Sequence, residues 1–317
     1  MTYQDVQPTK ELERVVIRFA GDSGDGMQLT GNRFGVESAR LGNDIVTLPD
    51  YPAEIRAPRG TIGGVSSFQL QFASTDISTP GETVDALVAM NPAALKKSFD
   101  LVKRGGLVIV DKSEFTARNI KNAGYNADPR TDGSLANYQL VEVDITSLTR
   151  GAVEQFELGR KGADRCRNMF ALGLVNWLYS RPNEPTEAWL EEKFSKNPAV
   201  RDANVAALRA GHAYGETVEA FAVRYRVEQA DLPPGHYRQV SGTQALALGL
   251  LAAANKSGRQ LFFSAYPITP ASDLLADMSK RKAQGVMTFQ AEDEIAAAGA
   301  ALGASYGGAL GVTSTSG

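Results

Sequence analysis

At 317 residues the chain is too long for one ordinary core and is expected to form two domains. With 43% apolar and 22% charged residues its composition is that of a globular protein, and no apolar run reaches the roughly 18 residues needed to span a membrane. A net charge of -3 without a clustered basic face excludes an electrostatic case for nucleic acid, and the polar, acidic start MTYQDVQPTKELE is unlike a secretory signal, so a cytoplasmic location is expected.

Chemistry based on thiols or imidazoles is poorly provided for. Cys166 is the single cysteine, whereas an iron-sulfur cluster or structural zinc needs about four ligands, so any such centre belongs to another chain. Within RCRNMFALGLVNWLY, Cys166 reads as core filler on a buried helix with Met169, Leu172, Leu174 and Trp177. His212 and His236 lie far apart and lack metal-ligand spacing, so no metal site is assigned.

In chain order, the patterning predicts a strand at Val15–Ala20, a helix at Gln28–Leu41, a short strand at Ile45–Leu48 and an alternating strand at Ser67–Ala73. A strand follows at Asp85–Met90. Leu95, Phe99 and Val102 then fall on one helical face with Gly105-Gly106 as the stop, and Leu107–Val110 reads as a buried strand. After a strand at Leu140–Ile145 the chain is mainly helical to about residue 228, with Trp189 and Phe194 on one helix and Val205, Leu208, Tyr214, Val218 and Phe221 suggesting more. The segment EQADLPPGHYRQ breaks every period and reads as a linker, giving domains at 1–228 and 241–317 joined by 229–240. The second domain is expected to run helix Thr243–Ala254, strand Gln260–Ala265, helix Ala271–Lys282, helix Glu294–Tyr306 and strand Leu310–Ser314. Such alternation predicts an α/β fold with a mostly parallel sheet. The stop at Gly317, within a Ser/Thr/Gly-rich turn, suggests one part of a longer polypeptide.

Four motifs are candidates for function. GDSGDGM follows the first strand, but Gly21, Gly24 and Gly26 stand in the wrong order for a dinucleotide fingerprint, and Asp22 and Asp25 would set negative charge beside a pyrophosphate. Asp44 is a candidate ribose ligand of little weight. Its GDG also invites a thiamine diphosphate reading with Asn32 or Asn43 as metal ligand, although the longer spacing is not met. Arg56 and Arg59, on a Gly/Pro-shaped loop, are either solvated side chains or a clamp for a phosphate or carboxylate. In FFSAYPITPASD, Thr269 and Pro270 fit a helix N-cap and first position, while Pro267 makes the turn rigid at a strand's carboxyl end, where α/β folds bind ligands. Finally Glu292, Asp293 and Glu294 precede a helix rich in Ala and Gly that can approach a neighbour closely. They either complement the helix dipole or present a desolvated carboxylate able to trade a proton with a ring nitrogen.

Tyr266-Pro-Ile-Thr-Pro270, the segment Gln290–Gly299 and the terminal GVTSTSG resemble the α subunit of 2-oxoacid:ferredoxin oxidoreductases, and the opening domain, with GDSGDGM, the Arg56/Arg59 loop and DALVAMNPAALKKSFDLVKRGGLVIVD, is similar to their γ domain. The resemblance implies a Rossmann-like γ domain followed by the start of a thiamine diphosphate-binding, pyrimidine-type α domain, fused as in two-subunit enzymes that act on 2-oxoglutarate or on 2-oxoacids broadly. It implies oxidative decarboxylation with coenzyme A and reduction of ferredoxin. A partner β subunit would carry the four-iron cluster (4Fe-4S) and hold the diphosphate and magnesium, in a dimer of αβ heterodimers. By the same resemblance Glu294, favoured over Glu292 by the Ala/Gly run, would bond the aminopyrimidine and promote its imino tautomer. Tyr266, Pro267 and Ile268 would line the cofactor, Thr269 would contact the substrate carboxylate, and Arg56 or Arg59 would face coenzyme A. The arginine expected to pair with that carboxylate would lie beyond Gly317. The family's Gly-Asn-Glu-Ala is Gly242-Thr-Gln-Ala245 in this chain, so a helix is retained but the carboxylate's role cannot be carried over. Pyruvate as substrate, a non-catalytic accessory role and an NAD-dependent dehydrogenase are the alternatives.

Overall fold

In the computed structural model residues 8–52, 57–217, 221 and 223–316 are described, and the chain divides into two compact units, Met1–Pro234 and Gly235–Gly317. Arg56 and Val218 lie outside the described residues.

In the first unit the run Val15-Val16-Ile17 extends into strand β2 (Arg14–Asp22), buried on both faces except at its first residue. A short β1 (Thr9–Glu11) precedes it. The chain leaves β2 through Gly24 and Gly26, whose φ of 101° and 80° suit glycine, and enters helix α1 (Met27–Arg40). At Gly26 a Cβ would also strike Asn168, and at Gly31 it would occupy the place of the Phe68 ring, so α1 lies directly on the sheet. Strands β3 (Asp44–Asp50), β4 (Val65–Ala73), β5 (Val84–Ala89), β6 (Val102–Asp111) and β7 (Gln139–Val143) complete a six-stranded sheet of order β3-β4-β2-β5-β6-β7. The pairs β2/β5, β5/β6 and β6/β7 are parallel, while β4 runs antiparallel to both of its neighbours. The Rossmann-like expectation therefore holds with one strand reversed.

The alternating SFQLQFA forms a strand as expected, and all nine residues of β4 are buried, because the polar side chains on its second face are also covered. Gln69, for instance, bonds the carbonyls of Pro80 and Gly81. The helical face Leu95-Phe99-Val102 is cut short. Helix α2 (Pro92–Ser98), capped by the Asn91 side chain, ends in a 3-10 turn, and Val102 already pairs with Val84 in the sheet. Gly105-Gly106 stops no helix: it lies where the β5/β6 register shifts, with Gly105 at φ 79°. Ile145 likewise opens a helix rather than closing a strand, since Asp144 accepts from the Ser147 N–H and caps it.

The remaining helices of this unit are α3 (Ala117–Asn122), α4 (Ile145–Val153), α5 (Gly159–Asp164), α6 (Arg167–Leu178), α7 (Glu184–Lys193) and α8 (Pro198–Thr217). Every residue of α6 is buried. It crosses α8 so closely that a Cβ on Gly173 would fall on the Leu208 carbonyl and one on Gly211 on the Phe170 carbonyl. Cys166, buried as expected, precedes this helix, and burial pushes its thiol up to about 11. Phe194 is the C-cap of α7 rather than part of it, and Phe221 lies beyond α8. Strand β8 (Arg224–Arg226) pairs with β1.

The second unit comprises α9 (Gly242–Ser257), β9 (Leu261–Ala265), α10 (Ser272–Ser279), β10 (Met287–Gln290), α11 (Glu294–Tyr306) and β11 (Leu310–Ser314). All three strands are parallel, in the order β10-β9-β11. Strand β10 was not expected from the sequence. It is only four residues long, so its alternation in MTFQ is too short to stand out from a loop. Helix α9 opens with a capping box in which Ser241 and Gln244 bond each other's backbone, so Gln244 has a structural role here. The close approach expected of α11 comes from strand β11: a Cβ on Gly311 would fall on the Ala301 carbonyl, whereas Gly299 and Gly303 face open space.

Candidate functional site

In the second unit the register aligns Gln290, Ala265 and Ser314, so the three parallel strands end level. Tyr266–Thr269 follows β9, Ala291–Glu294 follows β10, and Thr315-Ser316 follows β11. All the expected site residues of this unit therefore come off one carboxyl edge, where parallel sheets bind ligands. Direct bonds tie the loops together. The Tyr266 hydroxyl lies 2.7 Å from Thr315 Oγ1, Ser316 Oγ donates to the Thr269 carbonyl at 3.2 Å, and the Ala291 N–H donates to the Ala265 carbonyl at 2.9 Å.

Thr269 is not the helix cap. Ala271 takes that position without a side-chain bond, because Ser272 Oγ instead accepts from the Ile268 N–H at 2.8 Å and donates to the Ile268 carbonyl at 2.9 Å. Thr269 is thereby left exposed, as are Pro267 and Pro270, while Tyr266 is buried. On the β10 side Asp293 is the helix cap, its side chain accepting from the Ala296 N–H at 2.8 Å. Of the three acids, one has a structural role and Glu294 occupies the first helical position.

Glu294 is exposed and makes no hydrogen bond or ion pair among the described residues, so the apolar enclosure expected around it is not supplied by this unit. What the unit supplies is an adjoining wall: Tyr266, Ala291 and Ala297 form one buried cluster with Ile268 packed against it, and Ala297 sits three residues after Glu294 on α11. An unpaired carboxylate at the rim of an apolar wall fits an aminopyrimidine, which needs one acceptor and one flat contact. Ser314 Oγ, buried and without a partner among the described residues, is a further polar atom at this edge.

In the first unit the GDSGDGM turn is built around carboxylates that face inward. Asp22 accepts from the Gly60 N–H at 3.0 Å and from Arg59 Nε at 3.4 Å. Asp25 accepts from the Asp22 N–H at 2.9 Å, from Arg59 Nη2 at 2.9 Å and from Arg167 Nη2 at 3.0 Å. Burial raises the Asp25 carboxyl above its ordinary value, with Arg167 as the main opposing influence. Arg59 is therefore gripped by the two aspartates rather than free, and its side chain is still 73% exposed. The structure brings Arg59 to the GDSGDGM turn.

Two further groups were missed. Arg167 stands before the apolar run of α6, donates from Nη1 to Glu114 at 2.7 Å and to Thr146 Oγ1 at 3.0 Å, and is buried. Asp111, at the end of β6, accepts from Thr146 Oγ1 at 2.5 Å, and burial pushes its carboxyl up to about 6. The one available signal for Arg167 was a lone cation bordering an apolar helix. Asp111 carried no signal beyond its place after a buried strand.

Residues 16–214 match the family model described as pyruvate ferredoxin/flavodoxin oxidoreductase, and residues 253–317 match that of its thiamine diphosphate-binding domain. The chain is 56% identical over 97% of its length to the 2-oxoglutarate oxidoreductase subunit KorA of Mycobacterium tuberculosis, covering 47% of that protein. It is 24% identical over 96% of its length to a 2-oxoacid:ferredoxin oxidoreductase subunit alpha of Aeropyrum pernix, covering 50% of it. The chain thus spans about half the length of these relatives. Among solved structures, the 2-oxoglutarate:ferredoxin oxidoreductase of Magnetococcus marinus, with 2-oxoglutarate, coenzyme A and succinyl-CoA bound, superposes with a TM-score of 0.70 at 27% identity, over 96% of this chain and 48% of that one. Since the first model alone spans most of the chain and the second takes up the strand edge that carries Tyr266, Thr269 and Glu294, the chain belongs to the pyruvate ferredoxin/flavodoxin oxidoreductase family.

Proposed function

We propose that the protein of which this chain is the γ-like unit and the start of the α unit oxidatively decarboxylates a 2-oxoacid with coenzyme A, 2-oxoglutarate to succinyl-CoA being the assigned reaction. The carboxylate leaves as carbon dioxide, the coenzyme A thiol takes the acyl group and gives up its proton, and two electrons pass to ferredoxin. The observation that carries this reading is the levelled carboxyl edge of β9, β10 and β11, which places Tyr266, Thr269 and Glu294 on adjacent loops. The names of the Mycobacterium tuberculosis and Magnetococcus marinus proteins support 2-oxoglutarate, and the family description supports pyruvate or a broader range as the second reading.

Thiamine diphosphate, when bound, supplies a ring that holds the electron pair released as carbon dioxide departs. Glu294 would hold or release a proton at the aminopyrimidine nitrogen. Tyr266, Pro267 and Ile268 would form the wall that excludes water, and the Thr269 hydroxyl would orient the substrate carboxylate. The diphosphate, magnesium and 4Fe-4S cluster are assigned to a β subunit, in keeping with a single buried cysteine here. A dimer of αβ heterodimers in the cytoplasm, delivering electrons to ferredoxin, completes the proposal.

The test is the assembled enzyme, full chain with β subunit, assayed for coenzyme A-dependent dye reduction with several 2-oxoacids. Glu294→Gln is expected to lower turnover by at least about 100-fold with assembly intact. Full activity in that variant overturns the assignment of Glu294, and a preference for pyruvate over 2-oxoglutarate overturns that of the substrate.

A further inference from the structure

At the carboxyl edge of the first unit's sheet a chain of charges runs from the interior to the surface. Asp111 accepts from the Thr146 hydroxyl, and that same oxygen accepts from Arg167 Nη1. Arg167 is fixed at three further points, by Glu114 at 2.7 Å, by the Asp164 carbonyl at 3.1 Å, and by Asp25 at 3.0 Å. Asp25 Oδ1 accepts from Arg167 on one side and from Arg59 on the other. The side chains of Arg167 and Asp25 are 7% and 5% exposed, whereas that of Arg59 is 73% exposed. Arg59 is the one exposed cation of the series, and its Nη1 has no acceptor among the described residues.

We infer that Arg167 is a positioning residue: through Asp25 it sets the guanidinium of Arg59 toward an anionic ligand, the phosphate groups of coenzyme A. The inference rests on the reading that this loop faces coenzyme A. It explains why two aspartates lie in a loop that would otherwise repel phosphate. They are directed inward and sideways, spending their charge on Arg59, Arg167 and backbone N–H groups, so that what faces outward is a cation. A buried carboxylate without a buried cation beside it takes up a proton. Loss of Arg167 would therefore weaken the hold of Asp25 on Arg59 without touching the ligand directly.

The experiment is a double-mutant cycle in the assembled enzyme, following KM for coenzyme A and KM for the 2-oxoacid separately. Arg59→Ala and Arg167→Met are each expected to raise KM for coenzyme A about 10-fold and to leave that for the 2-oxoacid within about 2-fold, and Arg167→Lys is expected to restore part of the loss. The double variant is expected to be no worse than Arg59→Ala alone, because Arg167 acts only through Arg59. A merely structural role would instead give additive losses and overturn the inference, as would an Arg167→Met enzyme with unchanged KM for coenzyme A. If Arg59→Ala leaves that KM unchanged, it is the coenzyme A reading of the loop that fails. Should Arg167→Met not assemble, Asp25→Asn, which keeps the side chain's shape, carries the same cycle with the same outcomes.

Discussion

The Tyr266 hydroxyl stands 2.7 Å from Thr315 Oγ1, joining the loop after the central strand β9 to the loop after its neighbour β11. Tyr266 is buried and packs on Ala291, so one side chain braces all three loops of the candidate cofactor edge. Tyr266→Phe keeps the packing and removes the bond, at a cost of about 1 kcal/mol. Faster amide exchange at residues 315 and 316, with exchange in β9 unchanged, is the expected signature. Unaltered exchange at both loops would show that the bond does not hold them.

Glycines that look alike in the sequence separate sharply by environment. Gly173 meets the Leu208 carbonyl across α6 and α8, a backbone contact that cannot swing aside, while Gly151 in α4 has nothing within reach. Gly173→Ala is expected to destabilise the first unit by about 3 kcal/mol or more. Gly151→Ala should stabilise it by about 0.5 to 1 kcal/mol through helix propensity. Urea denaturation of both variants measures the contrast, and equal effects would contradict the close crossing of the two helices.

Much of this was legible in the sequence, and the failures share a cause. Val15–Ala20, Leu107–Val110, Glu294–Tyr306 and Leu310–Ser314 were readable because their apolar patterns and flanking turns agree with the tertiary structure. Helix α2 was overrun because Val102, apolar on either account, joins the sheet through a register shift that no local pattern encodes. Thr269 and Pro270 match a cap and first helical position, yet Ser272 takes the bonds that fix the turn. At the candidate site, Tyr266, Thr269 and Glu294 were proposed from motif and resemblance. Arg167, 142 residues from Asp25 in the chain, was found only when the fold brought the two within hydrogen-bond distance.

The lone thiol offers a simple probe of the first unit. Cys166 is 1% exposed and burial pushes its thiol up to about 11, so at neutral pH it is both inaccessible and protonated. The folded chain is expected to resist a disulfide reagent and to react with one equivalent after denaturation. Rapid labelling under native conditions would place Cys166 at an opened or mobile surface.

Glu37 gives the first unit a dependence on pH. Its side chain is 1% exposed, neither carboxylate oxygen accepts a well-formed hydrogen bond among the described residues, and Arg33 Nη2 stands 3.8 Å away. Burial pushes the carboxyl from its ordinary 4.5 up to about 7, against the opposing pull of Arg33, the Asn176 side chain, Arg181 and Arg40. The folded value lies above the unfolded one, so the folded state holds the extra proton between these two values. Its contribution to stability is fully present below about pH 4.5 and is lost as the pH rises through about 7. The loss is on the order of 3 kcal/mol. Glu37→Gln cannot ionise, and its urea midpoint should fall less between pH 5 and pH 8 than that of the wild type. Comparing the two proteins isolates Glu37 from Asp111 and Asp25, whose carboxyls burial also raises. An identical fall in both would mean that the Glu37 carboxyl is already ionised in the folded state at pH 5, as it is in the unfolded chain.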